Sequence, residues 1–369
     1  MSETNARAVV RHTSGRRVFH TLDAIRGVAA LFIVTRHVNL LFGGVTFPES
    51  YLAVDLFFVM SGVVLAQSYE HRLHAGEFAW TFFLLRCIRL YPLYLVGIVS
   101  GLLFKLLVGS HAPGHAWIAS DAAGFTLALF MLPALQFPPI DPVRWSLTFE
   151  LLINAVYGFL FRWLTTETLI ALIVCAAGGL VFAELQERTL DVGWQMYVLW
   201  GGLCRVTFSF FAGVFIVRRL SGPQRTSQAG AWLCVAAVAG LLAVTIPAPI
   251  KPVYEIAVVL LAFPLLVTVA MRFDVDPWTR RVFTFLGVTS YAVYILHVPF
   301  GAWFITILAH TEHNGPLWLW RTPEFFIFLL ISSWALDRYY DEPVRAYLRN
   351  RLGSMRSQNR KPATPARIE

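Results

Sequence analysis

The chain has 369 residues, 57% of them hydrophobic and 14% charged, with a mean hydropathy of +0.61. A soluble chain carries about a quarter charged residues, so this composition excludes an ordinary soluble domain and indicates a polytopic membrane protein. The net charge of +8 does not point to nucleic acid, because the arginines cluster at the ends of apolar runs and in the termini. That is the pattern of topology signals beside anionic headgroups.

The first span, 22–42, reads LDAIRGVAALFIVTRHVNLLF and carries Asp23, Arg26, Arg36 and His37. Ionisable groups are expensive inside a bilayer and usually mark a working site. Arg26 and His37 are eleven residues apart, close to three whole turns, so they share one stripe about 16 Å long. A site reached from both sides is expected. Residues 1–18 are polar and basic with no apolar core, so the first span is expected to act as an uncleaved anchor.

Further apolar runs follow at 52–69, 80–107, 146–164, 168–184, 197–217, 230–246, 253–271, 283–309 and 319–337. The expected fold is therefore all-α, with ten transmembrane helices and no fused soluble domain. The short run 121–134 is followed by a proline cluster. With ten spans, one face collects Arg72, Arg162, Arg218, Arg219, Arg225, Arg272, Arg280, Arg281 and both termini. The other keeps only Arg144, Arg188 and Lys251 in its connections. The positive-inside rule then puts both termini in the cytoplasm and makes 121–134 a re-entrant or surface-lying piece of the outer connection. A basic N-terminus (1–18), a membrane domain (19–352) and a disordered basic tail (353–369) complete the expected organisation, with 345–352 as a short interfacial helix. No internal repeat is visible.

On that topology His37, Asp55 in VDLFFVMSG and Glu150 in WSLTFE lie at similar depth below the outer face. Each has a plainer explanation: a structural ion pair for Asp55, for instance to Arg36, and a charge reaching up to water for Glu150. Their common depth favours a catalytic layer, because an imidazole oriented by a carboxylate is the usual general base. On the inner half, LLRCIRLYPLY puts Arg86 and Arg89 on one side of a helix, level with Arg26. Snorkelling is the common reason for arginines at helix ends, but Arg89 lies some ten residues into its run. Three guanidiniums together form a phosphate cradle, to which Arg205 is expected to add from mid-membrane. In LGVTSYAVYILH, Ser290, Tyr291, Tyr294 and His297 give a polar face that also reads as helix packing, although His297 falls near the bilayer middle. The cysteines read as buried free thiols. The pairs His71/His74, His111/His115 and His310/His313 lack accompanying ligands, so no metal is expected.

These stretches resemble the acyltransferase-3 family of integral membrane acyltransferases. The likeness is carried by Arg26-x10-His37, VDLFFVMSG, RCIRLYP, SYAVYILH, WSLTFE and DEPVR at 341–345, and covers 19 to about 350. It implies transfer of an acyl group from acyl-CoA, usually acetyl-CoA, to a hydroxyl of a sugar or glycolipid outside the cytoplasm. It gives His37 the catalytic role, and Arg26, Arg86 and Arg89 the donor. In that frame Asp55 is expected to hold the His37 imidazole. Trp145, Ser146 or nearby amides are expected to donate to the oxyanion, and Ser61 to support the site. The partners expected are acyl-CoA, a saccharide or glycolipid acceptor and the lipid bilayer, in a bacterial cytoplasmic (inner) membrane. A transporter or flippase for a lipid-linked saccharide is the alternative reading of the same buried charges.

Overall fold

A computed structural model describes residues 17–108, 117–133, 140–311 and 318–359. The basic arm 1–16, His111, His115, His313 and the tail 360–369 lie outside the described residues. The fold is all-α, apart from a two-residue parallel ladder joining Arg225–Thr226 to Phe273–Asp274. The helices are α1 (His20–His37), α2 (Ala53–His74), α3 (Ala79–Val108), α4 (Trp117–Leu129), α5 (Arg144–Leu160), α6 (Thr166–Glu187), α7 (Leu199–Phe215) and α8 (Gln228–Ala243). They continue with α9 (Lys251–Ala257), α10 (Phe263–Ala270), α11 (Pro277–Thr311), α12 (Trp318–Leu336) and α13 (Glu342–Asn359). A π-helical turn joins α9 to α10, and another, Asp337–Asp341, joins α12 to α13.

Six helical stretches among the described residues are long and apolar enough to cross a membrane: Pro48–His74, Ala79–Val108, Thr166–Glu187, Met196–Leu220, Lys251–Ala270 and Pro277–Leu308. The expected ten would also need α1, α5, α8 and α12. Of these, α1 carries Asp23, Arg26 and Arg36, while α5 and α8 have 17 and 16 residues.

Small residues set the helix pairs. The α1–α11 pair runs parallel, with Gly27 against Leu286, Asp23 against Gly287, and Val38 against Gly301. The α2–α7 pair also runs parallel and approaches closer still. A Cβ on Gly62 would meet the Phe210 carbonyl oxygen at 2.0 Å, and one on Gly213 would meet that of Val59 at 2.1 Å. Backbone contact of this kind is how helices gain packing energy where lipid offers no hydrophobic drive. We call the face where α1 begins the near face and the other the far face.

The short α4 dips along α3. Lys105 pairs with Asp121 at 3.0 Å near the end of α3, whereas the Tyr91 and Tyr94 hydroxyls donate to the Leu129 and Ala128 carbonyls at 2.9 and 2.6 Å. Those are last-turn carbonyls with no intrahelical partner, and α4 ends level with the middle of α3. The chain returns with Ile140 against Gly101 and Asp141 near Gly97, so α5 starts deep, not at the far surface. Tyr94→Phe should cost about 1 kcal/mol, the scale of one hydrogen bond lost. The check is thermal unfolding of the purified variant in detergent beside the native chain.

Two expectations change. The segment from 353 is helical as far as Asn359, because α13 continues straight through it. The thiols are free, but only Cys234 is buried, and Cys175 is exposed.

Candidate active site

Two constellations lie along the α1–α11 seam. At its near end Arg26 donates from Nε to Ser290 Oγ at 3.0 Å. Its Nη2 donates to the Gly287 carbonyl at 2.9 Å and to Asp23 at 3.0 Å. Gly287 is required there, since a Cβ would sit 2.4 Å from that of Asp23. From α3, Arg86 approaches Glu150 at 3.4 Å, and Ser61 Oγ donates to the same carboxylate oxygen at 3.1 Å. Arg89 lies over the Tyr291 ring, 5.2 Å from its centroid, and the Tyr291 hydroxyl donates to the Leu90 carbonyl at 2.5 Å. Together these side chains line a cavity of about 150 Å³.

The cavity continues toward the far face between Phe57, Ser146 and Tyr294. The Tyr294 and Ser146 hydroxyls are 2.5 Å apart, and Ser146 Oγ donates to the Val143 carbonyl at 3.0 Å. The Tyr294 ring is 6.1 Å from that of His297, whose ring in turn is 5.1 Å from that of His37. His37 is the last residue of α1 and is exposed, while His297 is fully buried.

The hydrogen bonds assign the tautomers. His297 Nδ1 is 3.0 Å from the Val293 carbonyl oxygen, which only accepts, so this nitrogen carries the proton. Neutral His297 is left with a lone pair on Nε2, 3.1 Å from His37 Nδ1. His37 Nδ1 is also 3.3 Å from the Ile33 carbonyl, so it too carries its proton. The lone pair of His37 then lies on Nε2, as a general base requires.

Five expected placements change. Asp55 does not hold His37. Both its oxygens bind Arg205, at 2.6 to 3.2 Å, and both side chains are fully buried. Arg205 therefore stands apart from the arginine cavity, where a donor phosphate would have to displace a buried carboxylate. Its remaining donors reach the Tyr51 and Val192 carbonyls. Glu150 leaves the layer of His37 and joins Arg86, because α5 starts deep and six further residues carry it down another 9 Å or so. Trp145 packs on Arg205, 5.3 Å from ring centroid to guanidinium carbon, so of the expected oxyanion donors it is Ser146 that faces the cavity. Arg36 pairs with Asp191, a loop residue that nothing in its own neighbourhood of sequence singles out.

A family model described as "Acyltransferase domain", that of the acyltransferase-3 family, matches residues 19–338. The chain is also similar to a curated protein of Rhizobium radiobacter described as "Protein 2 in picA locus". The two are 41% identical over 160 residues, which is 39% of this chain and 82% of that protein. No solved structure matches.

Proposed function

The chain belongs to the acyltransferase-3 family and is an integral membrane acyltransferase, and from that premise we propose that it moves an acyl group, acetyl in the first instance, from acyl-CoA to a hydroxyl of a saccharide or glycolipid. One observation carries the reading: a cavity entered past Arg26, Arg86 and Arg89 runs up to Tyr294, which adjoins the His297–His37 pair. Coenzyme A is a cytoplasmic polyanion with a long, thin arm. The arginines at the near end suit its charge, and the narrow cavity suits its arm. The near face is cytoplasmic on this reading, in keeping with the arginine asymmetry of the connections.

The acceptor hydroxyl approaches His37 from the far face and gives its proton to Nε2. Its oxygen attacks the thioester carbonyl carbon, the C–O bond forms, and the carbonyl electrons move to oxygen. Tyr294 and Ser146, whose side chains line the cavity, are the hydroxyls assigned to that oxyanion on this reading. Collapse breaks the C–S bond, and the thiolate takes the proton back from His37. While His37 is an imidazolium, its Nδ1–H still donates to His297 Nε2, so one orientation serves both halves of the cycle. Glu150 and Ser61 hold Arg86 toward the donor.

The test is mass spectrometry of cell-surface glycans from matched strains with and without the protein, together with thiol release from acetyl-CoA by the purified enzyme. Loss of an acyl mass from a glycan, restored by the native gene, is expected. Unchanged glycans and no thiol release would overturn the proposal in favour of the transport reading.

A further inference from the structure

We propose that α13 extends the donor site, with Arg345 and Arg349 receiving phosphates of the nucleotide end of coenzyme A and Asp341 acting as the positioning residue that sets Arg89 beside Arg345. This inference rests on the acyl-CoA reading above. The cavity of about 150 Å³ is below the usual size of a small-molecule site, so it takes the acyl and thiol end but leaves the nucleotide outside. What borders its near end therefore decides where the phosphates go.

Arg89 leads out of the cavity to that border. One oxygen of Asp341, Oδ2, is 3.6 Å from Arg89 Nη1 and 2.7 Å from Arg345 Nε. Asp341 is fully buried, so this carboxylate serves the two guanidiniums and not the solvent. Asp337 holds the other arm of Arg345 at 3.3 Å. The π-helical turn Asp337–Asp341 and the packing of α13 on α3 fix this geometry. Arg89 Nη1 is buried facing the Asp341 carboxylate, beyond hydrogen-bond distance, so Asp341 sets the position of this guanidinium without saturating it.

One turn further along α13, Arg349 shares the face of Arg345 and is among its charged neighbours. It is exposed, and its Nε donates to the Arg345 carbonyl at 3.2 Å. Among the described residues it pairs with no carboxylate. Arg86, Arg89, Arg345 and Arg349 thus form a line of guanidiniums from inside the cavity onto the near face, and the donor carries a diphosphate and a phosphomonoester. Guanidinium is the side chain best matched to both.

Arg351 supplies an internal control. It is exposed on the same helix, yet two residues from Arg349 is a rotation of about 200°, so it faces the other way. It lies instead over the Tyr347 ring. Coenzyme A binding would be measured by calorimetry on full-length protein in phosphatidylcholine nanodiscs. Arg349→Glu should weaken binding about tenfold or more, Arg349→Lys should keep most of it, and Arg351→Glu should stay within about twofold of native. Asp341→Asn should weaken binding in the same direction while the protein still unfolds cooperatively, and Asp341→Glu should recover part of the loss.

Equal losses from Arg349→Glu and Arg351→Glu would mean diffuse charge, and would overturn the proposal. So would native-like binding by Arg349→Glu. An effect of Arg349→Glu that needs phosphatidylglycerol and vanishes in phosphatidylcholine would assign the arginines to lipid headgroups instead, which also overturns it. If the native protein binds no coenzyme A, the donor reading itself falls and takes this inference with it.

Discussion

His37→Ala is expected to reach the membrane in normal amounts and to lose transfer by about a hundredfold or more, the scale of a lost general base. The side chain is exposed at the end of α1 and fills no core position; its contact is with the His297 ring. The companion substitutions at His297 separate base from support. His297→Ala removes the partner of His37 Nδ1, so the imidazole can rotate or take the other tautomer, and a loss of about tenfold is expected. His297→Gln offers an amide oxygen to the same N–H and should recover much of that. Turnover measured for the three variants, with protein amount quantified in the membrane fraction, decides the matter. Native-like turnover by His37→Ala would remove His37 from the chemistry. Equal losses for His297→Ala and His297→Gln would remove the hydrogen bond from the argument.

The largest stability effect is expected at Arg205 and Asp55. Both are fully buried and they meet through several hydrogen bonds. Arg205 also ties α7 to the carbonyls of Tyr51 and Val192, on two different connections. Removing either partner leaves a buried charge uncompensated, a loss of roughly 3–5 kcal/mol. Arg205→Met should therefore unfold at a markedly lower temperature than the native protein in the same detergent. The double variant Asp55→Leu/Arg205→Met should recover a good part of the loss, because it buries no lone charge. Additive losses in the double variant would show that the pair is not an energetic unit.

The sequence was informative where a residue's position along its own helix was enough. Arg26 and His37 on one stripe, Arg86 and Arg89 on one side and the run from Ser290 to His297 could be read from helix period alone, and α1, α3 and α11 carry them together. What failed was depth. Counting from the far end of its helix sets Glu150 level with His37. That count assumed α5 begins at the surface, whereas Ile140 and Asp141 lie against Gly101 and Gly97 of α3 and start it deeper. Partner choice failed for a related reason. Asp55 and Arg205 are 150 residues apart, and only the tight Gly62–Gly213 crossing of α2 and α7 brings their side chains together. Asp191 is illegible as a partner because a loop has no period to read, and the pairing of Asp341 with Arg89 joins two elements far apart in sequence.

The parallel packing of α1 on α11 makes this pair of helices a ruler. Arg26 meets Ser290 at one end, His37 meets His297 at the other, and both helices run unbroken between those marks. Seven residues of α11, from Ser290 to His297, set the spacing of the two marks at about 10 Å. On the proposed acyl-CoA reading, the donor bridges that length between its anionic end and its reactive carbonyl. Acyl phosphates and acyl adenylates, whose carbonyl adjoins the phosphate, are too short to touch both marks, whatever their intrinsic reactivity.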